Sequence, residues 1–149
     1  MVSSGLWAAN YAAPGKSGSF SSNIRNTGDR RRTELAASLG LDPELKIPPF
    51  FEATFYALTE NKIILGTRSG FLNRPKDILH AAPLEGLVIH WFDDPVGPNR
   101  ARHFVTVFSD GKWRADKTGL TALGRPLKHS MADEFIQALG NYAKQVPDA

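Results

Sequence analysis

A chain of 149 residues with 42% hydrophobic content and no cysteine has the length of one domain plus a tail, and it can carry neither a disulfide scaffold, nor a thiolate metal site, nor a thiol nucleophile. Eighteen Lys and Arg against fifteen Asp and Glu give a formal charge of +3; residues 1–50 hold six basic and four acidic side chains, residues 51–149 twelve and eleven. That nearly neutral body lacks the positive stripe with which duplex-binding proteins neutralise several phosphates, so no nucleic-acid partner is expected.

The opening Met1–Asn10 has no basic leader and no apolar block of signal length. No stretch approaches the roughly 20 apolar residues of a bilayer span. A cytoplasmic protein is expected, at most peripheral to the inner face of a membrane. From Ser3 to Gly28 the chain is rich in Ser, Gly, Ala and Asn, too few large apolar groups to offset the entropy of ordering. Residues 1–45 therefore read as a flexible tail, with a short helix near 30–39 that opens on Arg30, Arg31 and Arg32, continues through Leu35, Ala36 and Leu39, and is capped by Gly40. Pro43, Pro48 and Pro49 forbid regular structure beyond it, which sets the start of the folded domain, 46–149, near Lys46.

Within that domain, Phe51 to Leu58 alternates Phe51, Ala53, Phe55 and Ala57 with Glu52, Thr54, Tyr56 and Leu58, the period of a strand. Lys62 to Thr67 reads as its returning partner, and Ile78 to Leu84 as an edge strand with Pro83 confined to its end. Leu87 to Phe92 and Arg102 to Phe108 are two further strands flanking a loop of Asp93 to Asn99. Asp110-Gly111 then predicts a type I′ hairpin turn into a strand from Lys112 to about Lys117. Last comes an amphipathic helix of about 16 residues, capped by Ser130 with Asp133 three residues on. Its stripe is Phe135, Leu139, Tyr142 and Val146, with Met131 and Ala138 extending it, and Pro147 stops it.

The order of five to seven antiparallel strands and one C-terminal helix resembles the pleckstrin-homology superfold, and three short stretches carry a resemblance to bacterial PH-like domains. These are Ala57-Leu58-Thr59-Glu60-Asn61-Lys62-Ile63-Ile64-Leu65, Pro83-Leu84-Glu85-Gly86-Leu87, and Phe108-Ser109-Asp110-Gly111. The resemblance runs from about Pro49 to Val146. It implies a mainly β fold, a bent antiparallel sheet or partly open barrel whose end is capped by the helix, with Phe135, Leu139 and Tyr142 each worth about 1.5 to 3 kcal/mol when buried.

Lipid-binding members of that superfold grip phosphates with a basic cluster at the first hairpin. Here Thr59-Glu60-Asn61-Lys62 offers one cation and one anion, too little for charge-assisted phosphate recognition. A weaker anion or membrane contact is the next loop, where Phe71 and Leu72 are flanked by Arg68, Arg74 and Lys76, each cation worth about 1 kcal/mol near an anionic surface. The bland alternative folds Phe71 and Leu72 onto the barrel and leaves the charges solvated. Arg30 to Arg32 likewise read as a solvated helix start rather than a nucleic-acid arm.

Of the four histidines, His80, His90, His103 and His129, a metal pair arises only if His90 and His103 face each other across two strands, with Asp93 or Asp94 as a carboxylate ligand. The sequence has no H-E-x-x-H, G-x-x-x-x-G-K-[ST] or G-x-S-x-G motif, so no enzyme, metal site or cofactor is expected. The expectation is an interaction or scaffold module that binds a protein partner, for instance by adding an extended peptide to a bare strand edge, or weakly a membrane surface. The competing reading is a small-molecule-binding barrel protein or enzyme with a cavity lined by Trp91, Phe92, Phe104, Phe108 and Trp113.

Overall fold

The computed structural model describes residues 5–9, 22–47, 54–68, 75–94, 100–122, 124–126 and 132–147. Its first sheet holds β1 (Gly5–Ala9), β2 (Thr54–Leu58), β3 (Lys62–Arg68) and β4 (Pro75–Pro83), in that spatial order and antiparallel throughout. A second sheet runs β10 (Ala143–Gln145), β5 (Val88–Asp93), β6 (Ala101–Val107) and β7 (Trp113–Gly119). A two-stranded ribbon of β8 (Thr121–Ala122) and β9 (Arg125–Pro126) follows β7. Both four-stranded sheets are open, and the molecule is mainly β, with a helix before the strands and a short one near the C-terminus.

The core forms where the inward faces of the two sheets meet. Tyr56, Leu58, Ile63 and Leu65 of the first pack with Ile89 and Phe104 of the second, each at most 2% exposed, and with Phe108. Helix α2 (Ala132–Leu139) closes this layer by burying Phe135 and Leu139, and the Phe135 ring stacks 5.2 Å from Tyr56 and meets Phe104 edge-on at 5.8 Å. The two side chains are internal, as their periodicity predicts.

The last helix is nevertheless half its expected length. Gly140 takes φ +56°, a left-handed conformation that ends an α-helix. One turn of 3-10 helix, Gly140–Tyr142, then leads into β10, which pairs parallel to β5 with Ala143 opposite Ile89. Tyr142 is half-buried beside the core. The expected cap Ser130 and the flanking Met131 lie outside the described residues.

The segment expected as a flexible tail supplies two elements. Gly5–Ala9 is β1, and the short helix near 30–39 is the C-terminal part of a longer one, α1 (Ser22–Ser38). Gly40 caps it at φ +69°: the Leu41 amide donates to Ala36 O and the Gly40 amide to Ala37 O, the paired bonds of a Schellman motif. Helix α1 lies on the outer face of the second sheet, where Ala36, Leu35 and Leu41 pack against Val105, Val107, Trp113 and Ala115. Residues 42–47 then fasten to β7, through Trp113 Nε1 to Asp42 O at 2.7 Å and Ile47 N to Trp113 O at 2.8 Å.

The hairpin at Asp110-Gly111 forms with a different turn from the one expected. Gly111 is at φ +89°, its amide donates to Phe108 O, and the Phe108 amide donates to Lys112 O. Those bonds close a three-residue loop with glycine at its left-handed position, the second commonest hairpin solution.

Candidate functional site

Cross-strand partners share a face of their sheet. In the first sheet, register aligns Leu58, Ile63 and Ala82, and Tyr56, Leu65 and His80, in the two inward rows. The alternate rows are Phe55, Gly66 and Ile78, and Ala57, Ile64 and Ala81. This outward face is therefore apolar as well, although an antiparallel sheet with one wet side ordinarily turns polar residues outward. Its burial fades toward β4. Phe55 is covered, Ala57 and Ile64 are half-buried, Ala81 is exposed, and Ile78 is 68% exposed.

Gly66 shapes this face. A Cβ there would stand 2.5 Å from Phe55 Cζ and 2.7 Å from Asp77 O, so only glycine lets the Phe55 ring lie over the strand. Pairing of β3 with β4 shifts register on either side of Gly66, the irregularity that bends and twists an edge. Among the described residues, β4 is hydrogen-bonded to β3 alone, so its outer backbone groups form a row open to another strand.

Two of the five expected anion-contact residues border this edge. Arg68 ends β3 opposite Pro75, and Lys76 is the second residue of β4. Phe71, Leu72 and Arg74 lie outside the described residues. At the β2–β3 connection the Thr59 hydroxyl accepts from the Lys62 amide at 3.0 Å and the Asn61 amide at 3.4 Å, a turn closed on itself with Lys62 as its one cation.

The histidine pair is not assembled. Register sets His90 opposite Val105 and His103 opposite Phe92. Burial, then Lys144 on β10, lowers the His90 pKa. His103 is buried and stacked 5.0 Å from Phe92; burial first, and Arg32 second, push it down to about 3. The candidate carboxylate ligand Asp93 is held by Arg102 at 2.6 and 3.1 Å, and that guanidinium also donates to Asp133 at 2.8 Å. Among the described residues no three His, Asp or Glu side chains converge.

The five aromatics proposed to line one cavity divide between the two sides of the second sheet. Phe104 and Phe108 are core, with Trp91 packed against them and Arg102 4.4 Å over its ring. Phe92 and Trp113 face α1, where Arg31 sits 4.2 Å over Phe92. Two of the three consecutive arginines thus dock α1: Arg31 also donates to Pro147 O at 3.0 Å, and Arg32 Nη1 reaches His103 Nδ1 at 3.1 Å. Arg30 alone is exposed.

Between the sheets lies a buried polar cluster that sequence reasoning did not anticipate. Tyr56 Oη donates to Asp116 Oδ2 at 2.8 Å and stands 3.1 Å from Thr106 Oγ1. Arg114 donates to Asp116 Oδ2 at 3.1 Å and to Thr54 Oγ1 at 3.3 Å. The residues are at most 1% exposed. Desolvation, then the Asp116 carboxylate, raises the Tyr56 pKa well above its ordinary value, so the phenol stays protonated and donates.

No family model, curated protein or solved structure matches the chain. Among the described residues no helix is long and apolar enough to cross a membrane.

Proposed function

We propose that this chain is a non-enzymatic, pleckstrin-homology-like interaction module that binds a protein partner in extended conformation along the β4 edge and the outward face beside it. The reading rests on one observation: among the described residues β4 is paired on one side, and the sheet face it borders is apolar, with Ile78 68% exposed. Such a peptide gains backbone hydrogen bonds from the open edge, while its alternate side chains settle against Ile78, Ala81 and Ile64. Two four-stranded sheets with α2 closing their inner layer support the kinship in fold.

Display selection of peptides on the immobilised full chain tests the proposal, with vesicles of phosphatidylcholine and phosphatidylserine offered in parallel. Selected peptides are expected to shift the amides of residues 77–82 and to bind about tenfold more weakly to Ile78→Glu. That exposed substitution should leave stability within about 0.5 kcal/mol. Failure to select any peptide, or peptide binding indifferent to Ile78→Glu, overturns the reading. Vesicle binding lost in Arg74→Glu and Lys76→Glu, with no peptide binding, would replace it with a membrane surface.

A further inference from the structure

On the opposite side of the molecule, the junction of α1, residues 41–46 and β7 forms a solvent-open cavity of about 290 Å³. At about 30 Å³ per water that is room for about ten waters, the lower end of the range for small-molecule sites. Its walls combine two chemistries. Ala36, Leu41, Trp113 and Ala115 are apolar, whereas Arg32 and Lys46 are cationic, and among the described residues no acidic side chain lines it.

We propose that this cavity binds a small anion carrying a planar apolar body, an aromatic carboxylate by class. The carboxylate would meet Arg32 and Lys46, and the ring would fill the space between Ala36 and the indole. The inference is independent of the peptide edge and lies beyond it.

Preorganisation is the first argument, because a site whose walls are already fixed loses less entropy on binding. The Trp113 indole N–H is committed to Asp42 O at 2.7 Å, and the backbone at Trp113 is bridged to Lys46 and bonded to Ile47. That bridge holds Lys46 with its ammonium 5.3 Å over the Trp113 ring. Arg32 is fixed by Asp29 at 3.4 Å and by His103 at 3.1 Å.

Charge is the second argument. Asp29 is shared between Arg32 and Lys117, the latter at 3.3 Å, and Asp42 turns its carboxylate to the Glu44 amide. Arg32 and Lys117 are therefore two cations on the one carboxylate of Asp29, and Lys46 adds a third cation on the cavity wall. An anion relieves that excess, and in a partly desolvated site charge-assisted hydrogen bonds are the strong ones.

The test titrates the full chain with 1-naphthoate, its neutral analogue 1-naphthamide, and inorganic phosphate, following the Trp113 indole resonance and calorimetric heat. Naphthoate is expected to shift the indole saturably, to bind about tenfold more tightly than either naphthamide or phosphate, and to lose about tenfold in Lys46→Gln. Lys46 is exposed, and Ala37→Trp, at an exposed position lining the cavity, gives a second variant that blocks the space while leaving the cations. Equal binding of acid and amide, binding of phosphate as tight as that of naphthoate, an unmoved indole, or undiminished affinity in both variants would each overturn the proposal.

Discussion

Arg32 Nη1 stands 3.1 Å from His103 Nδ1, joining α1 to the middle of the second sheet. A guanidinium only donates, so Nδ1 accepts and the imidazole is neutral, its proton on Nε2. The helix can come this close because residue 28 is glycine: a Cβ there would fall 2.5 Å from His103 Nε2 and 2.7 Å from Asp94 Oδ2.

Acid should loosen this contact. Burial is the main cause of its low pKa, and of the charged groups that act on it, Arg31, Arg32 and Asp29 on α1 and Lys117 on β7, the cations are the majority; Asp94 also stands near Nε2. The folded pKa near 3 lies below the ordinary 6.5, so between those values the unfolded chain binds the extra proton and stability falls as pH falls. Taken from pH 7.5 to 5, that linkage removes about 2 kcal/mol. Urea unfolding at the two pH values should show this loss in the wild type over and above that in His103→Gln. Parallel pH dependences in the two proteins would refute a neutral buried His103.

The cluster of Tyr56, Arg114 and Asp116 predicts an asymmetry among substitutions. Asp116→Ala removes the carboxylate to which both a buried guanidinium and a buried phenol donate, at a cost of about 3 to 5 kcal/mol. Tyr56→Phe removes one donor and keeps the ring against Phe135, costing about 2 kcal/mol. Replacing both charges, Arg114→Met with Asp116→Leu, should recover most of the loss, since a buried ion pair exchanged for apolar side chains is often neutral. Denaturant midpoints decide: a double variant no better than Asp116→Ala would mean that the pair does more than satisfy its own burial.

How much of this was legible follows from the range of each interaction. The hairpins of β2 to β7 could be read because alternation and Asp110-Gly111 are local signals, and the Gly40 cap is equally local. The apolar outward face was also within reach, since Phe55-Tyr56-Ala57-Leu58 is apolar on both sides of a strand. The docking of α1 was not: Arg32 finds its partner 71 residues away and Arg31 finds Pro147 across 116, with nothing in the arginine run to announce either. Strands β1 and β10 are five and three residues long, and open sheet edges rather than residue patterns select them.

Gly140 marks where periodicity misled, and it yields a prediction whose sign separates two structures. The helical spacing of Leu139, Tyr142 and Val146 continues past it, yet Gly140 is at φ +56° and the chain beyond pairs with β5. A Cβ at Gly140 meets nothing within 4 Å, so the cost of Gly140→Ala is that of the left-handed backbone alone, about 1 to 2 kcal/mol of destabilisation. Asparagine tolerates that conformation better than alanine, and Gly140→Asn should cost less. In a helix unbroken to Val146, the same alanine would instead stabilise by about 1 kcal/mol. Urea unfolding of Gly140→Ala therefore distinguishes the observed turn and strand from a continuous rod by the direction of the change.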